Sequence, residues 1–202
     1  MFRPSNDMDY SVRYTVLRNM TTFNGDFVQE MFMNFTSDSI YRNATACVRV
    51  RYYDESQSSE WEVYLNDIPN DNHGREVTVN WKSFDIKNNG VFWTDTNGLE
   101  MQQRWLNQRP SFNFSSFENV TTNYYPVNSA ISIVDTKTKF KFTVLNDRSQ
   151  GGSSLNDGHI ELMQNRRLFF DDDRGVEEPL NETDQFGNGV STFARYHLLF
   201  TE

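Results

Sequence analysis

Hydrophobic positions along this chain recur mostly with a period of two, not the 3.6 of a helix. Ala46, Val48, Val50 and Tyr52 alternate with Cys47, Arg49, Arg51 and Tyr53, and Trp61, Val63 and Leu65 alternate with Glu62 and Tyr64. Val77, Val79 and Trp81 alternate with Glu76, Thr78 and Asn80. Phe140, Phe142 and Val144 alternate with Lys139, Lys141 and Thr143. Neighbouring side chains of a strand point to opposite faces, so each run predicts a strand with one face on a core and one toward water. Residues 12–17, 27–35, 131–134, 159–163 and 193–200 read as further strands. Turn signals separate them: Asn24-Gly25, residues 70–74 and 88–90, Asn97-Gly98, and residues 156–158 and 187–189. No stretch predicts an amphipathic helix. Many strands joined by regular turns predict an all-β sandwich. One domain over residues 27–202 is expected, after a leading segment 1–26 with room for a first strand. Longer loops at 107–122 and 171–188 interrupt the pattern.

Composition supports a packed core. Of the 202 residues only 37% are apolar, but 17 Phe, 9 Tyr and 4 Trp supply large buried areas per side chain. The net charge of −9 comes without a cluster of Lys and Arg, so nucleic acid is set aside as a partner. No apolar run reaches the roughly 20 residues of a membrane span. Residues 1–10 are polar and lack the apolar run of a signal peptide, which leaves a chain not secreted as written or a piece of something longer. Cys47 is the single cysteine, so no internal disulfide forms, and its strand setting reads as inert packing. Asn-x-Ser/Thr sequons occur at Asn19, Asn34, Asn43, Asn113, Asn119 and Asn181, a modest excess for so Asn-rich a chain. They lean toward a secretory-pathway origin.

Three kinds of chemistry would each leave a pattern in the residues. Zinc needs converging His, Cys or carboxylate ligands. His73, His159 and His197 belong to no ligand-spaced pattern, and each reads as structural. Ser153 and Ser154 follow Gly151-Gly152, but a nucleophile elbow needs glycines flanking the serine and a strand-to-helix turn. The glycine pair reads instead as a tight bend or bulge. Glycoside hydrolysis needs two carboxyls flanking the scissile bond. Asp171, Asp172 and Asp173 are adjacent, so on an extended strand they alternate in direction. They read as a solvated loop pairing with Arg166, Arg167 or Arg174. No self-sufficient catalytic constellation and no metal site is expected.

Four segments nonetheless form a recognisable series. They are Gly74-Arg75-Glu76-Val77, Phe92-Trp93-Thr94-Asp95-Thr96-Asn97-Gly98, Asn123-Tyr124-Tyr125-Pro126-Val127-Asn128 and the stretch 147–175. The last contains Gln150-Gly151-Gly152-Ser153-Ser154-Leu155, Asp157-Gly158-His159, Arg166-Arg167-Leu168 and Asp171-Asp172-Asp173-Arg174-Gly175. In content, order and spacing the series resembles the C-terminal region of glycoside hydrolase family 38, the class II α-mannosidases, and most of all the lysosomal type. The resemblance spans about residues 27–200 and is sharpest over 92–176. Asn165, where the family commonly carries another polar residue, and the apolar Phe169-Phe170 depart from it.

The resemblance implies a galactose-mutarotase-like β-supersandwich. It implies an enzyme that removes terminal α-linked mannose from N-glycans with retention, using a carboxylate nucleophile and a Zn²⁺ in an N-terminal α/β barrel. That barrel has no counterpart in this chain, so the expected partners are the barrel and mannose-containing glycans. The expected location is lysosomal, vacuolar or secreted. Arg166, with Arg167, Arg148 and Gln150, would border the substrate pocket, and Asp172 and Arg174 would support it by packing. A different reading is a stand-alone carbohydrate-binding or structural module, with Trp93, Trp105 or Tyr124 stacking on sugars.

Overall fold

The structure is a computed structural model describing residues 15–36, 45–68, 74–111, 113, 120–171 and 175–202. In chain order the strands are β1 (Val16–Asn24), β2 (Val28–Thr36), β3 (Thr45–Tyr53), β4 (Ser58–Leu65), β5 (Arg75–Lys82), β6 (Val91–Thr96) and β7 (Glu100–Trp105). They continue with β8 (Tyr125–Val127), β9 (Ala130–Val134), β10 (Lys141–Asn146), β11 (Gln150–Ser153), β12 (His159–Arg167) and β13 (Thr192–Thr201). The only helical element among the described residues is a 3₁₀ turn over Thr121–Asn123.

The strands make two antiparallel sheets. A nine-stranded sheet runs β1-β2-β3-β4-β13-β10-β9-β6-β7, and a four-stranded sheet runs β5-β12-β11-β8. The all-β sandwich expected from the alternation is the fold observed. The runs at 61–65, 77–81 and 140–144 place apolar side chains on the core, whereas of the run at 46–52 only Val48 packs against it and Tyr52 is exposed. Val63, Phe92, Ile131, Ile133, Phe142, Val144, Ala194, Tyr196 and Leu198 come from the large sheet, and Trp81, Val127, Ile160 and Leu162 from the small one. Trp81 sits at their junction, edge-on to Tyr196 at 4.9 Å and to Trp61 at 6.4 Å between ring centroids.

The outer face of the large sheet is polar where the alternation places Arg49 and Arg51. Glu30 lies 2.7 Å from Arg49 and 2.9 Å from Arg51, Arg51 reaches Glu60 at 2.7 Å, and Arg195 reaches Glu62 at 2.9 Å. Burial opposes ionisation of Glu30 and Glu62. The guanidinium groups around them outweigh it and hold both carboxyls below their usual range. This ladder crosses four adjacent strands, so it ties β2 to β13 through side chains as well as backbone.

Two expectations change. Gly151-Gly152 is neither a bend nor a bulge but the middle of β11. A Cβ on Gly152 would lie 2.7 Å from both Leu162 and Val127, so glycine is required for neighbouring side chains to close over the strand. The two sheets also hold four strands that the alternation does not mark: β6 and β7 in the large sheet, β8 and β11 in the small one. β7 lies at the edge of the large sheet and carries mostly polar side chains, and β8 has only three residues. The leading segment contains β1, which pairs along its length with β2.

Candidate functional site

The four sequence segments converge as a structural frame. In the Asn97-Gly98 turn both residues have positive φ, 52° and 72°, as a tight hairpin between β6 and β7 demands. Asp95 Oδ2 accepts from the Gly98 amide at 2.7 Å, inside the turn. Its Oδ1 accepts from the amides of Asn128, Ser129 and Ala130 at 2.8, 2.9 and 3.1 Å. Asn128 also donates to Asn97 Oδ1 at 2.8 Å. One buried carboxylate thus clamps the β6–β7 turn to the connection between β8 and β9. Burial would raise its pKa, but four backbone N–H groups prevail and hold it down at about 2.

A second clamp uses Asn88. It donates to the Val91 carbonyl at 2.9 Å and to Ser154 Oγ at 3.1 Å, and accepts from the Gly158 amide at 2.9 Å. Asp157 accepts from the Asn89 amide at 2.7 Å. A third centres on the fully buried Asn123, which exchanges hydrogen bonds with Asn107 and accepts from Ser153 through its carbonyl. Ser153 and Ser154 are fully buried and spent on these contacts. They are not nucleophiles.

The Arg166-Arg167 pair sits at the end of β12. The β5–β12 register shifts between Met163 and Asn165, a bulge that accommodates Gln164. Beyond it, Arg166 faces Glu76 across the strands and donates to Glu76 Oε2 from Nε at 2.8 Å and Nη2 at 2.6 Å. Arg167 is only 3% exposed. Its Nε donates to Asn181 Oδ1 at 2.7 Å, its Nη1 to the Ile68 carbonyl at 2.6 Å, and its guanidinium lies 5.1 Å from the Phe169 ring centroid. No carboxylate pairs with it among the described residues. Arg166 pairs with Glu76, and Arg167 is held by Asn181, the Ile68 carbonyl and the Phe169 ring; the expected pairing with the aspartate run falls on Asp172 and Asp173, which lie outside the described residues. Asp172 and Arg174 lie outside the described residues.

A shallow open depression lies beside this pair, about 230 Å³ with the solvent at its mouth included. Asn165, Arg166 and Arg167 form one wall, with Ile68, Leu180, Glu182 and Val190 around it. Arg148 and Gln150 do not line it. Arg148 is an exposed side chain paired with its neighbour Asp147 at 3.3 Å. Gln150 points between the sheets and donates to the Met163 carbonyl and to Tyr196 Oη, each at 2.8 Å. Tyr196 donates in turn to Gln164 Oε1 at 2.6 Å, and burial pushes its phenol up to about 12. Period-two reading misses this Gln150–Tyr196–Gln164 relay, because its strand ends at residue 163 and the bulge that aims Gln164 lies just beyond.

Of the aromatics considered for sugar stacking, Trp93, Trp105 and Tyr124 are all half-buried. The Tyr124 hydroxyl donates to Glu161, and its ring packs on Gly151. The sequons Asn19 and Asn34 are exposed on β1 and β2, and Asn113 is exposed in a loop. Asn181 is half-buried against Arg167, and Asn43 and Asn119 lie outside the described residues.

Among the described residues no group of three or more His, Cys, Asp or Glu could hold a metal ion. His159 and His197 belong to different sheets, and burial with Lys82 nearby keeps His159 below its usual pKa. His73 is outside the described residues. Every displaced carboxyl among them (Glu30, Glu62, Asp95, Asp135 and Asp184) is displaced downward. A general acid for glycoside cleavage needs the opposite displacement.

The family model described as "Glycosyl hydrolases family 38 C-terminal domain" matches residues 1–174. The lysosomal α-mannosidase of Cavia porcellus is 40% identical over 200 residues, and that of Homo sapiens 38% over 201, each covering 98% of this chain. An α-mannosidase of Canavalia ensiformis is 34% identical over 185 residues. The chain spans 18% of the length of each of these three relatives. Among solved structures, an α-mannosidase from Enterococcus faecalis superposes with a TM-score of 0.69 at 12% identity. The match covers 99% of this chain and 24% of that one, and shows a shared fold.

Proposed function

Since the chain belongs to the glycosyl hydrolase family 38 C-terminal domain family, we propose that it works as the β-sandwich portion of an α-mannosidase. That enzyme hydrolyses terminal non-reducing α-D-mannose residues of N-glycans, in mannose metabolism and glycoprotein degradation. One observation carries the reading: nearly the whole chain aligns to about a fifth of a lysosomal α-mannosidase, while its motif residues are consumed in holding loops.

In this reading the nucleophile, the acid and the zinc reside in an N-terminal α/β barrel that packs on this domain. The zinc, when bound there, polarises sugar hydroxyls. The described residues of this chain do not fit such a metal, and no chemical step is assigned to them. Their work is positional. The bulged end of β12 would present Arg166 at the pocket border, with its guanidinium fixed by Glu76. A lysosomal or vacuolar location follows the animal relatives. The depressed carboxyl pKa values suit it, because those groups stay ionised in a mildly acidic medium.

The test uses the longer protein that contains this chain. It should hydrolyse an aryl α-D-mannoside, and Arg166→Ala should lower kcat/KM about tenfold, or ~1.4 kcal/mol of transition-state stabilisation. Steady-state kinetics on both proteins decide it. An unchanged kcat/KM removes Arg166 from the pocket, and a wild-type protein without mannosidase activity removes the reading.

A further inference from the structure

Two sequons meet face to face at the edge of the large sheet. Asn19-Met20-Thr21 lies on β1 and Asn34-Phe35-Thr36 on β2, 15 residues apart in sequence. The β1–β2 register runs Val16↔Thr36 and Leu17↔Phe35, then shifts at Arg18, so that Asn19 falls opposite Asn34. Without that bulge Asn19 would oppose Met33, and its side chain would leave the face it now occupies. The bulge residue is itself anchored, Arg18 Nε donating to Thr36 Oγ1 at 2.6 Å.

The two amides are not equivalent. Asn34 Nδ2 donates to Asn19 Oδ1 at 2.7 Å, so the nitrogen that would carry a glycan on Asn34 is engaged. Asn19 Nδ2 has no partner among the described residues. Among the described residues Asn19 is on the outermost strand of the sheet, whereas Asn34 is flanked on its other side by Cys47 of β3. Both side chains are exposed. Their row adjoins the one carrying Arg49 and Glu62, the charged outer face, where a hydrated sugar is compatible. Directly opposed residues have Cβ atoms only about 5 Å apart, so two branched glycans rooted there would collide.

We propose that Asn19 is an N-glycosylation site and that Asn34, opposite it, remains unmodified as its hydrogen-bond donor. In the modification Asn19 Nδ2 forms a bond to the anomeric carbon of a lipid-diphosphate-linked oligosaccharide. The bond from that carbon to the diphosphate oxygen breaks, the lipid diphosphate departs, and the amide nitrogen gives up one proton. Asn19 Oδ1 is untouched, so the bond from Asn34 persists. A glycan there also shields β1, the last strand of the sheet among the described residues, from edge-to-edge pairing with another chain. The inference rests on passage through the secretory pathway, as the lysosomal reading requires, but not on mannosidase activity.

The sequence makes the count of glycans direct. No Lys or Arg lies between Arg18 and Arg42, so trypsin leaves both sequons on one peptide, residues 19–42. The full-length protein is expressed in a eukaryotic secretory host, and this peptide is weighed before and after enzymatic deglycosylation in heavy-oxygen water. The expected result is one glycan per peptide, with the Asn-to-Asp label on Asn19. Two glycans, a label on Asn34, or a bare peptide overturns the proposal. A bare peptide from a protein that still hydrolyses mannosides would sink the glycan site and leave the enzymatic reading standing.

Discussion

Gly158→Ala should unfold this domain or cost it more than about 4 kcal/mol, the range reserved for a buried clash with no route of relief. Gly158 has φ +71°, where any Cβ is strained. The added Cβ would also lie 2.0 Å from the Ser83 carbonyl oxygen and 3.0 Å from that of Ile86. Those are backbone atoms, so a rotamer change cannot relieve the contact. The same residue carries two hydrogen bonds across the molecule: its amide to Asn88, and its carbonyl from the Ser83 amide at 2.9 Å. Moving it pulls the β11–β12 turn away from the segment after β5. Gly187 is the internal control. Its φ is +82° but nothing lies within 4 Å, so Gly187→Ala should cost only about 1–2 kcal/mol. Urea denaturation of the two variants separates backbone strain from collision. Equal midpoints would show that the tight approach at Gly158 does not exist.

Asp95→Ala should cost about 3–5 kcal/mol. Four backbone amides lose their acceptor at once, and each amide left buried without a partner costs about 1–3 kcal/mol, partly recovered by water. The carboxylate predicts a pH dependence with a definite sign. Its folded pKa, about 2, is below the value near 3.8 of an unperturbed aspartate. Its contribution is therefore complete above pH ~4 and lost as pH falls toward ~2. Asp135 acts in the same direction, its carboxyl held down by the amides of Thr138, Lys87 and Lys137. Thermal denaturation of the wild type should show little loss from these groups between pH 7 and 5 and a steep loss below 4. Asp95→Ala should flatten part of that fall. A variant that keeps the wild-type slope would place the proton uptake elsewhere.

These two sites show what the sequence could and could not disclose. The alternation at 46–53, 61–65 and 77–81 exposes strands because one face of each is buried against a core. The turns at Asn97-Gly98 and 156–158 are visible because positive φ selects Gly and Asn. β11 is invisible to that logic. Gln150-Gly151-Gly152-Ser153 has no apolar period, and only the closure of Leu162 and Val127 over Gly152 explains the glycine. The partnership of Arg166 with Glu76 is 90 residues long in sequence and follows from β5 lying beside β12, which no local pattern encodes. The motif aspartate Asp95 looks chemical in the sequence. It becomes structural only when its four amide donors are seen.

The family motifs in this chain therefore read as joints. They hold the β6–β7 and β11–β12 turns against the rest of the sandwich, and they leave β12 to present one arginine at its bulged end. In the reading proposed above, the chain contributes to mannoside hydrolysis only as part of a longer protein. The most direct measurement compares the folded 202-residue chain with the longer protein containing it, both supplied with zinc and an aryl α-D-mannoside. Turnover by the longer protein and none by the chain alone is the expected result. Zinc-dependent turnover by the isolated chain would contradict it.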